Sequence, residues 1–432
     1  MKASVKVFMI VFYVLVPAAV FAANDALTLK QAIDTALKQS PLIKSAQYDV
    51  EASRQTARGA KGAFFPRLDL NAAYFKENQG VPYIPAQSVK IPAKFSDEVY
   101  SWSVFLRMPI YEGGRLVGQV KVAELEQAVQ SSIKKSTIQD LIANVTNTFN
   151  KLLQLKELRK AYDHSVDALE KQDKDTKFLL KTGRVPNVEL LRVEVQLASE
   201  RQNLIRTEEA INRARDALAF LLGVDADRIK DVEGDLRKKE TVKTENIDGL
   251  IKARPDVVAA AKKAEAEKAR VDVASGKRYP SLDMVSDYGD RAGVGFNGRE
   301  EVWEAEVVAS INIFDAGIIS SEIARAEAVY QKARESLRLA GLNARREVSD
   351  ALSFLREAEG RLTLAEKALS QSKESFRIES LKYKTGAGTI TDVLLSESAM
   401  SLAQANYYQA LYDYSAAVTE FKRATGTIGE GI

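Results

Sequence analysis

The sequence predicts a mainly α-helical protein that also carries a membrane β-barrel, and three observations support this fold class. The chain of 432 residues is internally duplicated. Each half contains two stretches in which apolar and polar residues alternate, which is typical of strands with one apolar and one polar face. Each half also contains one helical pattern, over residues 115–182 or 317–385, that is far longer than a compact domain needs.

The duplication is clearest at two turns that join helical patterns. The sequence Lys-Thr-Gly occurs at residues 384–386 and again at residues 181–183, an offset of 203 positions (386 − 183). Before the strands the offset is larger, because residues 254–256 correspond to residues 40–42 at 214 positions (254 − 40). The first strand hairpin is therefore longer by 11 residues (214 − 203). Two related halves of this kind predict an internal repeat.

The N-terminus indicates export from the cytoplasm. Lys2 and Lys6 precede an apolar run over residues 7–16, and small residues before Ala23 provide a cleavage site, so residues 1–22 are predicted to be a signal peptide. An uncleaved anchor is the alternative, but the run is shorter than the roughly 20 residues that span a bilayer. Without these two lysines the chain has 60 basic residues (62 − 2) against 59 acidic ones, so its charge predicts no nucleic-acid partner.

The first repeat is predicted over residues 23–223. Apolar spacing predicts a helix from Thr28 to about Gly62, with an interruption at Pro41. The elements that follow are a strand hairpin at about 66–110, a long coiled-coil-like helix at 115–182, a tip at 182–187 and a return helix at 188–222. Glycine favours the left-handed residue that ends a helix, so Gly183 predicts a sharp hairpin tip.

A charged connector, which would form an equatorial region, is predicted over residues 224–246 and is interpreted as solvated. The second repeat follows over residues 247–426 and has the same order of elements. These are a helix, a strand hairpin at about 280–313, a long helix at 317–385, a tip at 385–390 and a return helix at 391–425, with a tail at 427–432.

The four predicted strands each have one apolar face, and aromatic residues lie towards the hairpin ends of those faces. Carboxylates occur on the opposite face only. An apolar outside, a polar inside and aromatic girdles describe a transmembrane barrel. Four strands cannot close a pore, and open edges in lipid would leave backbone groups unsatisfied, so oligomerisation is expected. The predicted membrane-interface aromatics are Tyr74, Tyr100, Trp102, Tyr288 and Trp303.

An enzyme is a poor alternative interpretation. The chain has no cysteine, and its only histidine, His164, lies in the middle of a helical pattern without a second histidine for a metal site. No catalytic, cofactor-binding or metal-binding residue is therefore predicted. A soluble periplasmic coiled-coil adaptor or structural protein is the better alternative, since it would also have long helical hairpins and a signal peptide. Such an adaptor would not need four alternating strands with aromatic ends.

The sequence resembles the TolC-like outer-membrane efflux family over nearly the whole mature chain. The most specific motifs are Leu27-Thr28-Leu29-Lys30-Gln31-Ala32, Phe65-Pro66-Arg67-Leu68, Pro109-Ile110-Tyr111-Glu112-Gly113-Gly114-Arg115, Arg254-Pro255-Asp256 and the second tip from Tyr383 to Leu394. The resemblance implies a homotrimer in the outer membrane of a Gram-negative bacterium, in contact with its lipid. Three copies of four strands would close a 12-stranded β-barrel, and the helices would form an α-helical tunnel in the periplasm.

The resemblance also implies partners and a function. The helical tips would meet a periplasmic adaptor, which couples the duct to an inner-membrane pump. The protein would then be the exit duct of a tripartite efflux pump or of a type I secretion system. The tips point away from the barrel, so the adaptor-docking residues are predicted to be Thr182, Gly183, Arg184, Thr385, Gly386 and Gly388.

The resemblance further implies a gate at the periplasmic end. Tyr383, Asp392 and Glu189 fall at positions that match the family's gate residues. The family's arginine position is occupied by Gly388, and its second aspartate position by Leu395, so the gate is expected to be looser or to use Arg184. A ring of Asp392 carboxylates would favour cations, and Tyr383 with Glu189 would form a closing hydrogen bond. The alternative for Asp392 is a solvated carboxylate at a helix start.

Overall fold

The computed structural model describes residues 26–86, 88, 90–237 and 246–429. The predicted signal peptide lies outside the described residues, as do much of the predicted connector and the end of the predicted tail.

The first repeat begins with two consecutive helices whose starts are encoded locally. Thr28 caps the first helix through a reciprocal pair of hydrogen bonds with Gln31. Pro41 occupies the first turn of the second helix, where its missing N–H costs nothing. The elements are β1 (Leu27–Thr28), α1 (Leu29–Gln39), α2 (Pro41–Gly62), β2 (Arg67–Ile84), β3 (Lys94–Glu112), α3 (Arg115–Lys181) and α4 (Asn187–Leu222).

The second repeat has the same sequence of large elements. Its long helix contains 67 residues, as many as its counterpart in the first repeat, which corresponds to a length of roughly 100 Å. The elements are β4 (Val232–Glu233), α5 (Ile247–Ala253), α6 (Pro255–Gly276), β5 (Ser281–Ala292), β6 (Glu300–Ser310), α7 (Ile318–Lys384) and α8 (Ile390–Ala424). In the described part of the chain, no helix is both long and apolar enough to cross a membrane.

The four long strands form one antiparallel sheet in the order β2-β3-β5-β6. The two hairpins have equivalent registers. Arg67 pairs with Arg107 in the first hairpin, and Ser281 pairs with Ser310 in the second. Ser281 lies 214 positions after Arg67 (281 − 67), and Ser310 lies 203 positions after Arg107 (310 − 107). Strands β2 and β6 form the two edges of this sheet.

The sheet has one continuous apolar face, because residues that pair directly across strands point to the same side. One row joins Val104, Tyr288 and Trp303 across three strands. The neighbouring row on the other face joins Asp69, Phe105, Asp287 and Glu304. The predicted separation of apolar and polar residues holds in these two rows. Towards the hairpin ends the prediction that carboxylates occur on the polar face only is wrong, because Asp290 and Glu301 lie in one row with Trp102 on the apolar face.

The long helices form a layer that continues from the sheet. Close to the sheet, α3 packs between α2 and α6, and α6 also packs on α7. Towards the tips, α3 packs between α4 and α8, and α8 also packs on α7. Because α3 and α7 run through both levels, each of them connects the strands to a tip.

The largest hydrophobic core lies midway along the helices and corrects the prediction of a solvated connector. Ile229 and Val232, both 4% exposed, pack in this core with Leu152 of α3. Val232 also pairs with Leu27 in the two-stranded β1-β4 sheet. These apolar residues are embedded in a charged segment, so the charge pattern concealed their burial. Ile428 of the predicted tail joins the same core.

Arg254 connects three helices of the second repeat at the level of this core. Its guanidinium is buried and donates hydrogen bonds to Ala424 O at 2.9 Å, Asp256 Oδ2 at 2.7 Å and Glu347 Oε2 at 2.9 Å. The residue also precedes α6, so one side chain links the start of α6, the middle of α7 and the end of α8. Removing one partner of such a buried pair leaves an uncompensated charge.

Candidate functional site

The two helical tips have the same backbone geometry. Gly183 and Gly386 have φ angles of 75° and 77°, in the left-handed region that favours glycine. The N–H of Arg184 donates to Leu179 O at 2.9 Å, and the N–H of Ala387 donates to Lys382 O at 2.8 Å. These bonds satisfy carbonyl groups at the helix ends and define a Schellman motif at each tip.

Threonine hydroxyls reinforce both tips, and the tip surfaces are open. Thr182 Oγ1 donates to Leu179 O and Thr385 Oγ1 donates to Lys382 O, each at 3.0 Å. A Cβ placed on Gly183 or Gly386 would have no atom within 4 Å. Gly388 differs, because its Cβ would lie 3.0 Å from Lys382 Cβ. Gly388 therefore permits close packing of the tip onto α7, whereas the other two glycines face open space.

Asp392 forms a capping box with Thr389 at the start of α8. The Asp392 N–H donates to Thr389 Oγ1 at 3.2 Å, and the Thr389 hydroxyl donates to Asp392 Oδ2 at 2.7 Å. Hydrogen bonds from the Thr389 hydroxyl and N–H lower the pKa of Asp392. Asp392 therefore caps the start of α8, as the alternative interpretation predicted. Its carboxylate is also exposed and ionised at neutral pH, so the negative charge can act on solutes.

Tyr383 and Glu189 lie near each other, but the predicted bond between them is not formed in the single chain. Burial raises the pKa of Tyr383, and the negative charge of Glu189 raises it further, whereas a hydrogen bond with Gln172 opposes both effects. Glu189 Oε2 is buried and has no hydrogen-bond partner within the described part of the chain. Glu189 is also the counterpart of Asp392 at the offset of 203 positions (392 − 189).

An arginine that the sequence analysis missed joins the two hairpins near the tips. Arg192 of α4 donates a hydrogen bond to Thr391 Oγ1 of α8. Arg184, the predicted substitute, is exposed at the first tip. Arg192 is the counterpart of the exposed Leu395 (395 − 203). Comparing the two repeats position by position would have identified this arginine.

A buried pair of carboxylates between α3, α4 and α8 was also missed. Glu200 and Glu397 are 3% and 4% exposed. Ser401 donates to Glu200 Oε2 at 3.3 Å, and Ser165 donates to Glu397 Oε1 at 3.4 Å. Burial, reinforced by the negative charge of Glu200, raises the pKa of Glu397 to about 7. Glu200 follows Leu197 at an apolar position of the helical pattern, which is a signal the sequence contained.

The predicted aromatic residues gather at one end of the sheet. The rings of Tyr74 and Tyr100 are 4.8 Å apart, and those of Trp102 and Tyr288 are 6.3 Å apart. A second group, missed by the sequence analysis, is exposed at the four junctions between strands and helices. It consists of Phe65, Tyr111, Tyr279 and Phe314. The repeat offsets of 214 (279 − 65) and 203 (314 − 111) positions relate its members and would have revealed it.

The described residues contain no cluster of three or more histidine, cysteine or carboxylate side chains that could hold a metal ion. His164 is exposed on α3. The open tips, the polar sheet face and the buried carboxylate pair are thus the features that a functional interpretation has to use.

Comparison with known proteins identifies the family. The profile of the family described as "Outer membrane efflux protein" matches residues 32–224 and 246–427. The chain belongs to this family. Membership confirms the predicted family resemblance, the outer-membrane location and the efflux function, and it does not fit the alternative of a soluble adaptor. The family description names an efflux protein, which is a transport role.

Several relatives of this outer-membrane efflux protein match it over most of their length and most of its own. It is 20% identical to the outer membrane protein TolC of Vibrio cholerae over 412 residues, which cover 93% of this chain and 91% of TolC. It is 24% identical to the outer membrane protein OprJ of Pseudomonas aeruginosa, covering 92% of this chain and 84% of OprJ. The crystal structure of VceC from Vibrio cholerae has the same fold, with a TM-score of 0.78, 21% identity and coverage of 92% and 96%.

Proposed function

We propose that three copies of the chain form the exit duct of a tripartite efflux pump or a type I secretion system. Substrates would pass from an inner-membrane transporter and a periplasmic adaptor, through the helices, and out across the outer membrane. The observation that carries this proposal is the four-stranded sheet with β2 and β6 at its edges and one continuous apolar face. In lipid such edges have to be paired, and three copies give an even-numbered barrel of 12 strands.

The aromatic residues are proposed to mark both surfaces of the membrane. Tyr74, Tyr100, Trp102, Tyr288 and Trp303 would lie at the outer surface, and the aromatic residues of the strand–helix junctions at the periplasmic surface. Phe65 and Tyr74 are nine positions apart (74 − 65). At about 3.3 Å per residue and a tilt of about 40°, this gives a height of roughly 23 Å. That height agrees with the apolar band of about 25 Å that is typical of outer-membrane barrels.

The helical tips are proposed to bind the periplasmic adaptor. Both Schellman motifs hold their glycines at the far end of the helices from the sheet, where a partner can reach the backbone. Thr182, Gly183, Arg184, Thr385 and Gly386 are exposed. Gly388 would contribute indirectly, because it lets the second tip pack closely on α7.

The periplasmic mouth is proposed to carry a gate made from Tyr383, Asp392 and Glu189. The Asp392 carboxylate is exposed and charged, so threefold symmetry would repeat it around the opening. Tyr383 and Glu189 would pair only after a change from the single-chain arrangement, in which Glu189 Oε2 has no hydrogen-bond partner among the described residues. Arg192 and Thr391 would hold the two hairpins together in the closed arrangement.

The test of the duct is its mass and its attachment to membranes. Full-length protein extracted from outer membranes with detergent should have the mass of three chains by light scattering with correction for bound detergent. High salt should leave it in the membrane, because the apolar sheet face binds lipid rather than a charged surface. A stable monomer, or release of the protein by salt alone, would contradict the proposal.

A further inference from the structure

The chain brings two carboxylates together at the boundary between its two helical hairpins. Glu200 lies on α4 of the first hairpin (α3 and α4), and Glu397 lies on α8 of the second hairpin (α7 and α8). Both are almost completely buried. Glu397 follows the tip glycine Gly386 by 11 residues (397 − 386), which is roughly 16 Å of helix. The pair therefore lies deeper between the hairpins than the tips do.

Each carboxylate is held across that boundary by a serine of the other hairpin. The Ser401 hydroxyl of α8 donates to Glu200 Oε2 at 3.3 Å, and the Ser165 hydroxyl of α3 donates to Glu397 Oε1 at 3.4 Å. The Gln196 amide donates to Glu200 Oε1, also at 3.3 Å. The two hydroxyl bonds are longer than the roughly 2.5 to 3.0 Å that is usual for a hydroxyl donor. Such bonds offset little of the cost of burying two negative charges.

The surroundings of the pair favour its uncharged form. Burial raises the pKa of Glu200. Burial also raises the pKa of Glu397, and the negative charge of Glu200 raises it further, to about 7. Tyr162 of α3 stays neutral at this pH, because burial and the charge of Glu200 raise its pKa as well.

The positive charges of the surrounding helices act on other groups. Arg201 of α4 pairs with Glu170 of α3 at 2.7 Å. Arg206 of α4 acts on Tyr162, and Arg377 of α7 pairs with Glu374 of its own helix at 2.7 Å. The positive charge that fits between the two buried carboxylates is therefore a proton.

The duplication shows that a helical hairpin does not require this polar cluster. At the offset of 203 positions, the counterparts of Glu200, Ser165 and Ser401 are Ala403, Ala368 and Ala198. The counterpart of Glu397 is Glu194, which is partly exposed and pairs with Lys177 at 3.3 Å. Small residues are thus compatible with the helical pattern at three of the four positions, so packing by itself does not account for the buried pair.

We propose that Glu200 and Glu397 form a proton-binding site, that the bound proton holds the two hairpins of the chain together, and that its release at alkaline pH lets α8 move away from α3 and α4. This inference rests on the proposed gate, because the second hairpin carries Tyr383 and Asp392 to the periplasmic mouth.

The direction of the pH effect follows from proton binding. While the hairpins are joined, Glu397 keeps its proton up to a pKa of about 7. Once the hairpins separate, water reaches both carboxylates, and the pKa of Glu397 returns towards its ordinary value of 4.5. The joined arrangement therefore binds more protons between these two values, and raising the pH through this window favours separation.

An apolar cluster beside the pair provides a position at which separation can be measured. Val193 of α4 is completely buried there, together with Val166 of α3 and Val393 of α8. The chain has no cysteine, so Val193→Cys introduces a single thiol at the contact between the hairpins. A charged reagent reaches this thiol only when the hairpins part.

The test compares the rates at which a charged methanethiosulfonate labels Val193→Cys at pH 6 and at pH 8 in the full-length protein. The reagent reacts with the thiolate, so the rate rises with pH in every variant. Adding Glu397→Gln, which imitates the protonated carboxyl group, measures the rise that is due to the thiol alone. The rise should be larger by a factor of roughly ten in the protein that keeps Glu397, which corresponds to about one pKa unit.

Glu170→Gln is the matched control for this comparison. Glu170 is a partly exposed carboxylate that pairs with Arg201 inside the first hairpin, so its replacement should leave the full pH response in place. An equal rise in the labelling rate with and without Glu397→Gln would overturn the proposal.

Planar-bilayer recordings connect the pair to the mouth. Between pH 6 and pH 8 the conductance of the parent should rise, while that of Glu397→Gln should stay near its value at pH 6. The same rise in both proteins would contradict the proposal.

Light scattering on the same samples separates this inference from the proposed duct. If the protein has the mass of three chains but its labelling does not depend on Glu397, the proton-binding site is wrong and the duct stands. If the protein is monomeric, the duct fails, and the labelling still decides on the pair, because both carboxylates belong to one chain.

Discussion

At the scale of single residues, two carboxylates lie where the helical pattern predicts apolar side chains. Glu200 and Glu397 are buried between three helices, and within the described part of the chain their hydrogen bonds come from Ser165, Gln196 and Ser401 rather than from a basic side chain. The negative charge of Glu200 also acts on the nearby Tyr162, whose pKa is raised mainly by burial and further by that charge. Because burial disfavours the charged form, a proton is held by the folded protein at pH values where the unfolded chain has released it.

Glu397→Gln should make the protein less sensitive to alkaline pH. The pKa of Glu397 is raised from 4.5 to about 7, so the folded state binds more protons than the unfolded state between these values. Stability therefore falls as pH rises through this window and stays low above it. At pH 8 the variant should be more stable than the parent by about 1 to 3 kcal/mol, measured by thermal unfolding of the detergent-solubilised protein at pH 4 to 9.

The control for this experiment is Glu194→Gln, at the position that corresponds to Glu397 in the first repeat (397 − 203). Glu194 is only partly buried and pairs with Lys177 at 3.3 Å, so its replacement should leave the pH profile unchanged. A Glu397→Gln variant that is no more stable than the parent at pH 8 would show that ionising the buried pair does not lower the free energy of unfolding.

Asp392 combines two roles that matched variants can separate. Asp392→Ala and Thr389→Ala both destroy the capping box, at a cost of about 1 kcal/mol, but only Asp392→Ala removes the carboxylate. If the carboxylate faces the pore, Asp392→Ala should reduce cation selectivity and block by multivalent cations, while Thr389→Ala should leave both unchanged. Planar-bilayer recordings of reversal potential and block measure these effects. Identical selectivity in all three proteins would leave Asp392 with the capping role alone.

At the scale of secondary-structure elements, each helical tip needs a residue with a positive φ at a position where a side chain would meet only solvent. Gly386 needs a positive φ but contacts nothing at its Cβ position. A side chain there has a backbone cost of about 1 to 2 kcal/mol without disturbing any packing. The fold therefore tolerates substitution at a tip, and a functional loss would report on a partner.

Gly386→Val should abolish co-purification with the cognate periplasmic adaptor and efflux-dependent growth, while assembly and membrane insertion remain normal. Gly114→Val is the matched control, because Gly114 also has a positive φ, 79°, and also contacts nothing at its Cβ position, but lies at the sheet end of α3. The control should bind the adaptor as the parent does. Normal efflux in Gly386→Val, or equal loss in both variants, would remove the docking assignment.

At the scale of the whole molecule, the chain is elongated and leaves several apolar surfaces without a partner. Trp303, Phe314 and Val329 are exposed on β6, on the segment that follows it and on α7. A monomeric soluble protein rarely keeps such surfaces open over its length. Lipid around the sheet and neighbouring copies in the proposed trimer would cover them, so the stable form of this protein is expected to be the membrane-bound assembly.

The sequence by itself determined the features that depend on a few neighbouring residues. Gly183 and Gly386 end the long helices because only glycine readily takes the left-handed conformation of a Schellman motif. Pro41 and Pro255 start helices because their missing N–H would have no partner there in any case. The alternation that leads to Trp303 and Glu304 assigned the two faces of the sheet, since the side-chain period of a strand is two.

The tertiary structure alone decided which residues are buried together, because burial depends on elements that are distant in sequence. Glu397 could have been a solvated helix residue, and it is buried only since α3 and α4 pack on that face of α8. Val232 lies in a charged segment, and its burial follows from pairing with Leu27, roughly 200 positions earlier. Tyr383 lies close enough to Glu189 for that charge to raise its pKa, yet Glu189 Oε2 has no hydrogen-bond partner among the described residues, since the relative rotation of the helices is set by packing along their whole length.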